Sequence, residues 1–131
     1  MKYDFIVDKR KIIVKALIKG DDDVQNELKF ILDTGASKTV IDSDTANNLG
    51  FDLKYLKTGN ILIGANGDIS SKTLKLPQFS LFDKILLNFE VSVIDLPPQI
   101  TYFARGVIGM DFLLQFKKIT FDFDEKFIEI S

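Results

Sequence analysis

The sequence predicts a single small, all-β domain, built as a barrel or a sandwich. The first reason is composition: 46% of the 131 residues are apolar, mostly Ile, Leu, Val and Phe, as is typical of strands. The second is pattern, because seven or more short apolar segments alternate with turn residues such as Gly, Asn and Asp. The third is that no linker or low-complexity tract divides the chain. We therefore expect residues 1–131 to form one domain.

The first two strands show the clearest pattern. Apolar residues occupy every even position of Lys11–Lys19, which is the period of two expected for a strand. Gly20–Asp23 then predicts a solvated turn, because its three aspartates lack the spacing of a calcium-binding loop. The segment Leu28–Leu32 predicts a second strand, and Asp33 follows directly at its end.

The next segments predict a short helix and a hairpin. The helix lies in "DSDTANNLG", where Asp42 or Ser43 can cap the first turn and Gly50 can end the last one. The dipeptide Asn66-Gly67 suits a tight turn with positive φ and has apolar residues on both sides. It predicts a β-hairpin over 60–76.

The last part of the chain predicts more strands and a second helix. Ile85–Ile94 predicts a strand with its odd-numbered apolar residues on one side, and the two prolines within 95–100 predict a loop. Gly106–Phe116 predicts an apolar pair between glycines, followed by a short helix. The segment 118–130 predicts a hairpin with its bend at 124–126. Its inward-facing residues would be Ile119, Phe121 and Phe123.

Composition excludes several classes of function. The chain has no histidine and no cysteine, so disulfides, thiolate nucleophiles, imidazole metal ligands and Ser-His or Cys-His catalysis are all excluded. The net charge of −2 argues against a nucleic-acid partner, which requires a clustered basic face. Apolar runs reach three residues at most, which argues against a membrane span. The charged segment Met1–Lys11 is unlike a signal peptide, and we expect a cytoplasmic protein.

Asp33 is the residue that calls for a chemical explanation. An ionised carboxylate at the end of a buried strand is costly to desolvate. Asp33 therefore either opens a polar turn by accepting backbone hydrogen bonds, or it takes part in catalysis. Without His or Cys, two neighbouring carboxyl groups could divide the work, because they share one proton and act as base and acid.

Three segments together resemble retropepsin-like aspartic proteases of the cellular and bacterial type. Asp33–Ser37, which reads D-T-G-A-S, resembles the active-site signature of that family. Gly106–Gly109 and the following Met110–Leu113 resemble its hydrophobic-hydrophobic-Gly segment and the helix after it. The resemblance implies a small closed, barrel-like retropepsin (acid protease) fold with one or two short helices. It also places a substrate-binding flap, less glycine-rich than the viral one, at Ile63, Gly64, Ala65, Asn66 and Gly67.

The resemblance also implies a role for each residue of the signature. Asp33 would be the catalytic carboxyl group that activates water. Thr34 would hydrogen-bond to the backbone of the opposite loop, and Gly35 would let the backbone approach the partner acid. Ala36 would keep the turn compact, and the Ser37 hydroxyl would hydrogen-bond the outer oxygen of Asp33.

The second segment would support the loop from below. The resemblance implies that Val107, Ile108 and Gly109 pack beneath the loop and hold its position. No metal and no cofactor would be required.

The chain carries one D-T-G triplet, so a second carboxylate must come from another copy. The resemblance implies a C₂ homodimer in which Asp33 faces its symmetry mate. It further implies that chain ends, around Tyr3–Val7 and Phe127–Ile130, interleave into a shared sheet. The partners would be a peptide or protein substrate and a second copy of the chain, with no nucleic acid and no membrane.

Three alternatives stay open at this point. One is a non-catalytic peptide-binding or dimerisation module of the same fold, against which the intact Asp33-Thr34-Gly35 triplet argues. Another is a small β-barrel binding protein that contains the turn by chance. The third is a carbohydrate-cleaving enzyme with two acids, although no second acid in the sequence supports it.

Overall fold

A computed structural model describes residues 1–59, 62–64 and 67–131 of the chain. Its strands are β1 (Lys2–Asp4), β2 (Ile6–Asp8), β3 (Lys11–Lys19), β4 (Gln25–Leu32), β5 (Val40–Asp42), β6 (Lys57–Thr58), β7 (Leu62–Gly64), β8 (Gly67–Ile69), β9 (Lys72–Leu81), β10 (Lys84–Ile94), β11 (Gly106–Ile108), β12 (Ile119–Asp122) and β13 (Phe127–Ile130). Its helices are α1 (Ser43–Asn48), α2 (Pro98–Thr101), α3 (Met110–Leu113) and a 3₁₀ turn at Leu53–Tyr55.

Six strands close into a barrel. The hydrogen-bonded order is β2-β3-β4-β11-β5-β10-β9-β6, and β3 pairs again with β9, so that the sheet returns on itself. Closure matters because it pairs strand edges that would otherwise be free. The prediction of an all-β, closed barrel-like fold is confirmed.

The core of the barrel is aromatic. The ring of Phe79 lies 5.8 Å from that of Phe30 and 5.4 Å from that of Phe112, both in edge-to-face geometry. All three side chains are almost completely buried. Such pairs stabilise a core beyond their area of burial by about 0.5–1.5 kcal/mol each.

Strand β11 threads between β4 and β5. It runs parallel to β4 and antiparallel to β5, so the loop 33–39 joins two strands that are not neighbours and crosses the end of β11. Gly106 makes this possible. A Cβ there would lie 2.4 Å from the carbonyl oxygen of Val40 and 2.5 Å from the ring of Phe30.

Several local predictions agree with the structure. Strand β3 has the predicted bounds, Gly20–Asp23 is a turn, and Gly50 follows α1 with φ of +94°. Asp42, one of the two residues predicted to cap α1, is its N-cap residue, but the side chain makes no capping hydrogen bond. Its carboxylate instead accepts a hydrogen bond of 2.9 Å from the backbone N–H of Leu96, tying the end of β10 to β5.

The predicted alternation along β10 is wrong in its first half. Ile85 and Leu87 are 61% and 68% exposed, whereas Val91 is buried. Asn88 has a positive φ of +54°. It lies opposite Pro77 of β9, since Leu87 pairs with Gln78 and Phe89 pairs with Leu76, and Pro77 has no N–H to donate. This backbone irregularity shifts the alternation, so odd positions before Asn88 face solvent and those after it face the core.

The loop predicted at 95–100 contains a short helix. Helix α2 begins at Pro98, because the fixed φ of proline suits the first helical position, where its missing N–H is not needed. Two prolines exclude a central strand, as predicted, but they do not exclude a helix start. With α1 and α3, the described residues thus contain three short α-helices.

The two ends of the chain form a separate three-stranded sheet. Its order is β1-β13-β12, so β13 is paired on both edges within one chain. Phe127–Ile130 therefore has no free edge within one chain, and Tyr3–Val7 is split between β1 and β2 at the buried Phe5. Interleaving of the chain ends with those of a second copy stays a prediction. Phe123, predicted to face inward, lies in the turn before β13 and is 63% exposed.

A tyrosine connects this terminal sheet to the barrel. The hydroxyl of Tyr3 donates a hydrogen bond of 2.7 Å to the carboxylate of Asp83, in the turn between β9 and β10. This hydrogen bond, together with partial burial and the charge of Asp83, raises the pKa of Tyr3 to about 12. The donor proton therefore stays in place well into the alkaline range.

Candidate active site

Asp33 stands in an exposed turn at the end of β4. Its backbone N–H donates to the carbonyl of Ile108 at 3.0 Å, which extends the β4–β11 pairing by one residue. Its carboxylate accepts a 2.8 Å hydrogen bond from the N–H of Gly35, and its carbonyl accepts one from Ala36 at 3.2 Å. The turn therefore fixes the backbone of Asp33 while the carboxyl group faces solvent.

The start of α3 holds the second half of the loop. The N–H of Met110 donates to the carbonyl of Ala36 at 2.8 Å, and that of Asp111 donates to Ser37 at 3.2 Å. Gly109 lies directly against the loop, since a Cβ there would be 2.5–2.8 Å from backbone atoms of Lys38. The glycine before α3 is thus required by close approach of two backbones.

A pair formed by the buried Thr39 and the half-buried Asp111 locks this arrangement, and sequence reasoning missed it. Oδ1 of Asp111 accepts hydrogen bonds from Thr39 N at 2.9 Å, from the Thr39 hydroxyl at 2.7 Å and from Phe112 N at 2.9 Å. The Thr39 hydroxyl in turn accepts from Gly109 N at 3.1 Å. Thr39 is completely buried, and a polar side chain there requires such partners.

The predicted supports of the loop are the last two residues of β11 and the glycine before α3, and their supporting role stays a prediction. Ile108 is buried and Val107 is half-buried, next to Ile31, its register partner on β4. Thr34 and Ser37 are exposed, so their predicted contacts with an opposite loop and with Asp33 stay predictions.

The predicted flap falls on the hairpin of β7 and β8. Ile63 pairs with Asp68, and Gly64 pairs with Gly67, whose φ of +115° suits a tight turn. The remaining flap residues, Ala65 and Asn66, lie outside the described residues. The hairpin is confirmed by this pairing, and its role over a substrate stays a prediction.

Within 1–59, 62–64 and 67–131, no three acidic side chains are grouped closely enough to hold a metal ion. Over the same residues, no helix has the length and apolar character needed to cross a bilayer.

The signature loop, the threaded strand and the buried lock all lie within a segment that matches a known family. The profile of the aspartyl protease family matches residues 14–112. The chain belongs to this family. Among curated proteins, this aspartyl protease family member is 28% identical over 98 residues to an uncharacterized protein of Rickettsia prowazekii. The match covers 75% of the chain but only 40% of that relative's length.

Solved structures show the same fold. A retropepsin-like aspartic protease from Rickettsia conorii superposes with a TM-score of 0.73 at 24% identity, covering 99% of this chain and 89% of the other. EIAV protease in complex with an inhibitor gives 0.63 at 20% identity, over 82% and 88% of the two chains. The retroviral protease-like domain of Ddi1 from Leishmania major gives 0.60 at 17% identity, over 92% and 88%. The retropepsin-like fold is thereby confirmed.

Thr39→Val tests whether the buried lock stabilises the loop. Valine keeps the shape of threonine but leaves Gly109 N without its acceptor and removes one donor from Asp111. We expect the free energy of unfolding to fall by about 1–3 kcal/mol, the cost of unpaired buried polar groups. Chemical denaturation followed by circular dichroism measures it. The matched control is Thr120→Val at an exposed position of β12, and an equally small effect in both variants would contradict the lock.

Proposed function

We propose that this chain is an aspartic endopeptidase whose active site forms between two copies of Asp33 in a homodimer. The observation that carries the proposal is the Asp33 turn itself. The backbone is fixed by hydrogen bonds to β11 and by the Thr39–Asp111 lock, whereas the carboxyl group is exposed. A rigid backbone with an accessible acid is what general acid–base catalysis requires.

A second copy of the chain is the source we propose for the second acid. Among the described residues, Asp111 and Glu90 both contact the loop. Oδ1 of Asp111 already accepts three hydrogen bonds, and Glu90 forms an ion pair of 3.1 Å with Lys38. Asp33, Thr34, Gly35 and Ser37 are all exposed in one chain, which leaves this surface available to a partner. A twofold axis through the turn would place the two carboxyl groups face to face.

The chemistry follows from the two carboxyl groups sharing one proton. The ionised group takes a proton from a water molecule, whose oxygen then forms a bond to the carbonyl carbon of the substrate. The protonated group donates its proton to the carbonyl oxygen, giving a neutral gem-diol. The group that is now protonated then donates its proton to the leaving nitrogen, and the other group takes a proton from a gem-diol hydroxyl. The C–N bond breaks, a carboxylic acid and an amine are released, and one proton is again shared by the two carboxyl groups. Small displacements of either acid would slow these steps, which explains the rigid support.

The proposed dimer differs from the expected one in its sheet. Because β13 is paired on both sides within one chain, interleaved chain ends would require that β1 or β12 be displaced. We therefore propose that contacts between the exposed turns contribute more to this dimer than exchanged ends do. The substrate would be an extended peptide lying under the β7–β8 hairpin and binding by strand-like hydrogen bonds. A cytoplasmic location remains part of the proposal.

Cleavage of a peptide library over a range of pH tests this function. We expect internal peptide bonds to be cut, with the rate falling as rising pH removes the shared proton. Mass spectrometry of the products gives the sites and the rates. The chain has no histidine, so a rate that instead rises through the alkaline range would point to lysine or tyrosine and contradict the carboxyl pair. Binding of peptides without any cleavage would favour the non-catalytic module.

A further inference from the structure

A basic and aromatic cleft lies between the β2–β3 turn and α2. Its volume is about 790 Å³, and its walls carry two lysines and two aromatic rings. The lining residues are Lys9, Lys11, Pro98, Gln99, Tyr102 and Phe103. Tyr102 is 79% exposed, so the cleft presents a large open aromatic surface to solvent.

The cleft borders the start of β3, which lies beside the end of β4 because the two strands are antiparallel and Ile13 pairs with Ile31. Phe103 packs against the small cluster of Ile13, Ile31 and Ala104, which is separate from the main core. Ile31 precedes Asp33 by two residues, and side chains two apart along a strand face the same side, roughly 7 Å from each other. The cleft therefore adjoins the end of β4, from which Asp33 follows.

The cations of the cleft are not neutralised by acidic neighbours. With the side chains that the structure describes, neither Lys9 nor Lys11 forms a salt bridge. Asp8 lies opposite Lys11 on the neighbouring strand β2. The Lys11 ammonium nevertheless lies over the ring of Phe103, 4.7 Å from its centre, and forms no salt bridge with Asp8. Such a cation, held over an aromatic face at the mouth of a cleft, attracts an anionic group.

Two further cations border the same region. Arg10 is exposed at the tip of the β2–β3 turn, and Arg105, four residues after Thr101, donates to the carbonyl of that residue. The turn is tight, with φ of +44° at Lys9 and +66° at Arg10, so both side chains start from a fixed backbone. Of these residues, Lys9 lines the cleft itself, whereas Arg10 and Arg105 lie on the segments next to it.

We propose that this cleft binds an acidic side chain of the substrate, close to the scissile bond. Its carboxylate would pair with Lys9 and Lys11, while the methylene groups of the substrate pack on Tyr102 and Phe103. This inference deepens the proposed protease function and rests on it. It names the substrate class as peptides with Asp or Glu close to the cleavage site.

Peptide pairs that differ only by Glu and Gln test the preference. With Glu moved through each position around the cut bond, we expect one position to raise kcat/KM by about three- to tenfold, the range for partly exposed, charge-assisted pairs. Lys11→Gln should lower the ratio of kcat/KM for the Glu peptide to that for the Gln peptide. The double variant Lys9→Gln, Lys11→Gln should bring this ratio to one, and added salt should reduce it in the unmodified protein. Lys54→Gln removes an exposed cation from the 3₁₀ turn and serves as the matched control, with an unchanged ratio.

A binding measurement separates failure of this inference from failure of the proposed function. Asp33→Asn protein is titrated with the same Glu and Gln peptides while NMR signals of Phe103 and Tyr102 are followed. Tighter binding of the Glu peptide, with shifts at these rings that Lys11→Gln weakens, supports the cleft even without turnover. Equal Glu and Gln affinities, or cleavage with a ratio near one at every position, overturn the inference and leave the protease function standing.

Discussion

Asp33→Asn is expected to abolish peptide hydrolysis while leaving the fold intact. The amide cannot take a proton from water, and it cannot share one with a second acid. Loss of a positioned proton-transfer group lowers rates by about 10²- to 10⁴-fold. Loss of both members of a symmetric pair should therefore bring the rate to the level of the assay background.

The structure explains why the fold should survive this change. Asp33 is exposed, so no buried charge pair is broken, and the Asn oxygen can still accept the hydrogen bond from Gly35 N. The backbone bond from residue 33 to Ile108 does not involve the side chain. Circular dichroism and thermal unfolding should thus match the unmodified protein.

A matched control removes the same charge elsewhere. Asp124→Asn lies in the exposed turn between β12 and β13 and should retain full activity. Turnover of the Asp33→Asn protein at the control's rate would show that another group activates the water, and the assignment of Asp33 would fail.

Local patterns predicted the position of the candidate site but not the Thr39–Asp111 pair that holds its loop. The sequence indicates Asp33 as the candidate catalytic residue because its carboxylate follows a buried strand and starts a D-T-G turn. Both are local features of the sequence. Thr39 and Asp111 are 72 residues apart, and neither stands out in its own segment. The signal in the sequence that could have indicated this pair is an acid, Asp111, two residues after Gly109, together with a hydroxyl residue, Thr39, directly before β5.

Errors in the fold prediction have the same physical origin. The alternation of apolar and polar residues predicted β3 well, because the backbone of this strand is regular over all nine residues. It failed along β10, because the positive φ of Asn88 shifts the pattern, and asparagine alone does not specify that conformation. The pairing of β1 with β13 within one chain was not predicted, because β1, β12 and β13 are all apolar strands and the whole fold decides which edges pair.

Activity is expected to depend on assembly, in two ways. One chain supplies one Asp33, so specific activity should fall on dilution below the dissociation constant of the dimer. The terminal sheet is complete within a single chain, with β13 paired to both β1 and β12. Dilution should therefore remove activity without changing the circular dichroism spectrum, which distinguishes dissociation from unfolding.

Mixing with inactive chains tests the shared site directly. When three Asp33→Asn chains are added per active chain and subunits exchange at random, activity per active chain should fall to about one quarter, because only dimers with two acids work. The same excess of Asp124→Asn chains, which carry Asp33, should cause no such loss. Native mass spectrometry of labelled chains establishes that heterodimers have formed. Undiminished activity in those heterodimers would mean that a single Asp33 suffices, and the second proton-transfer group would then have to lie within the same chain.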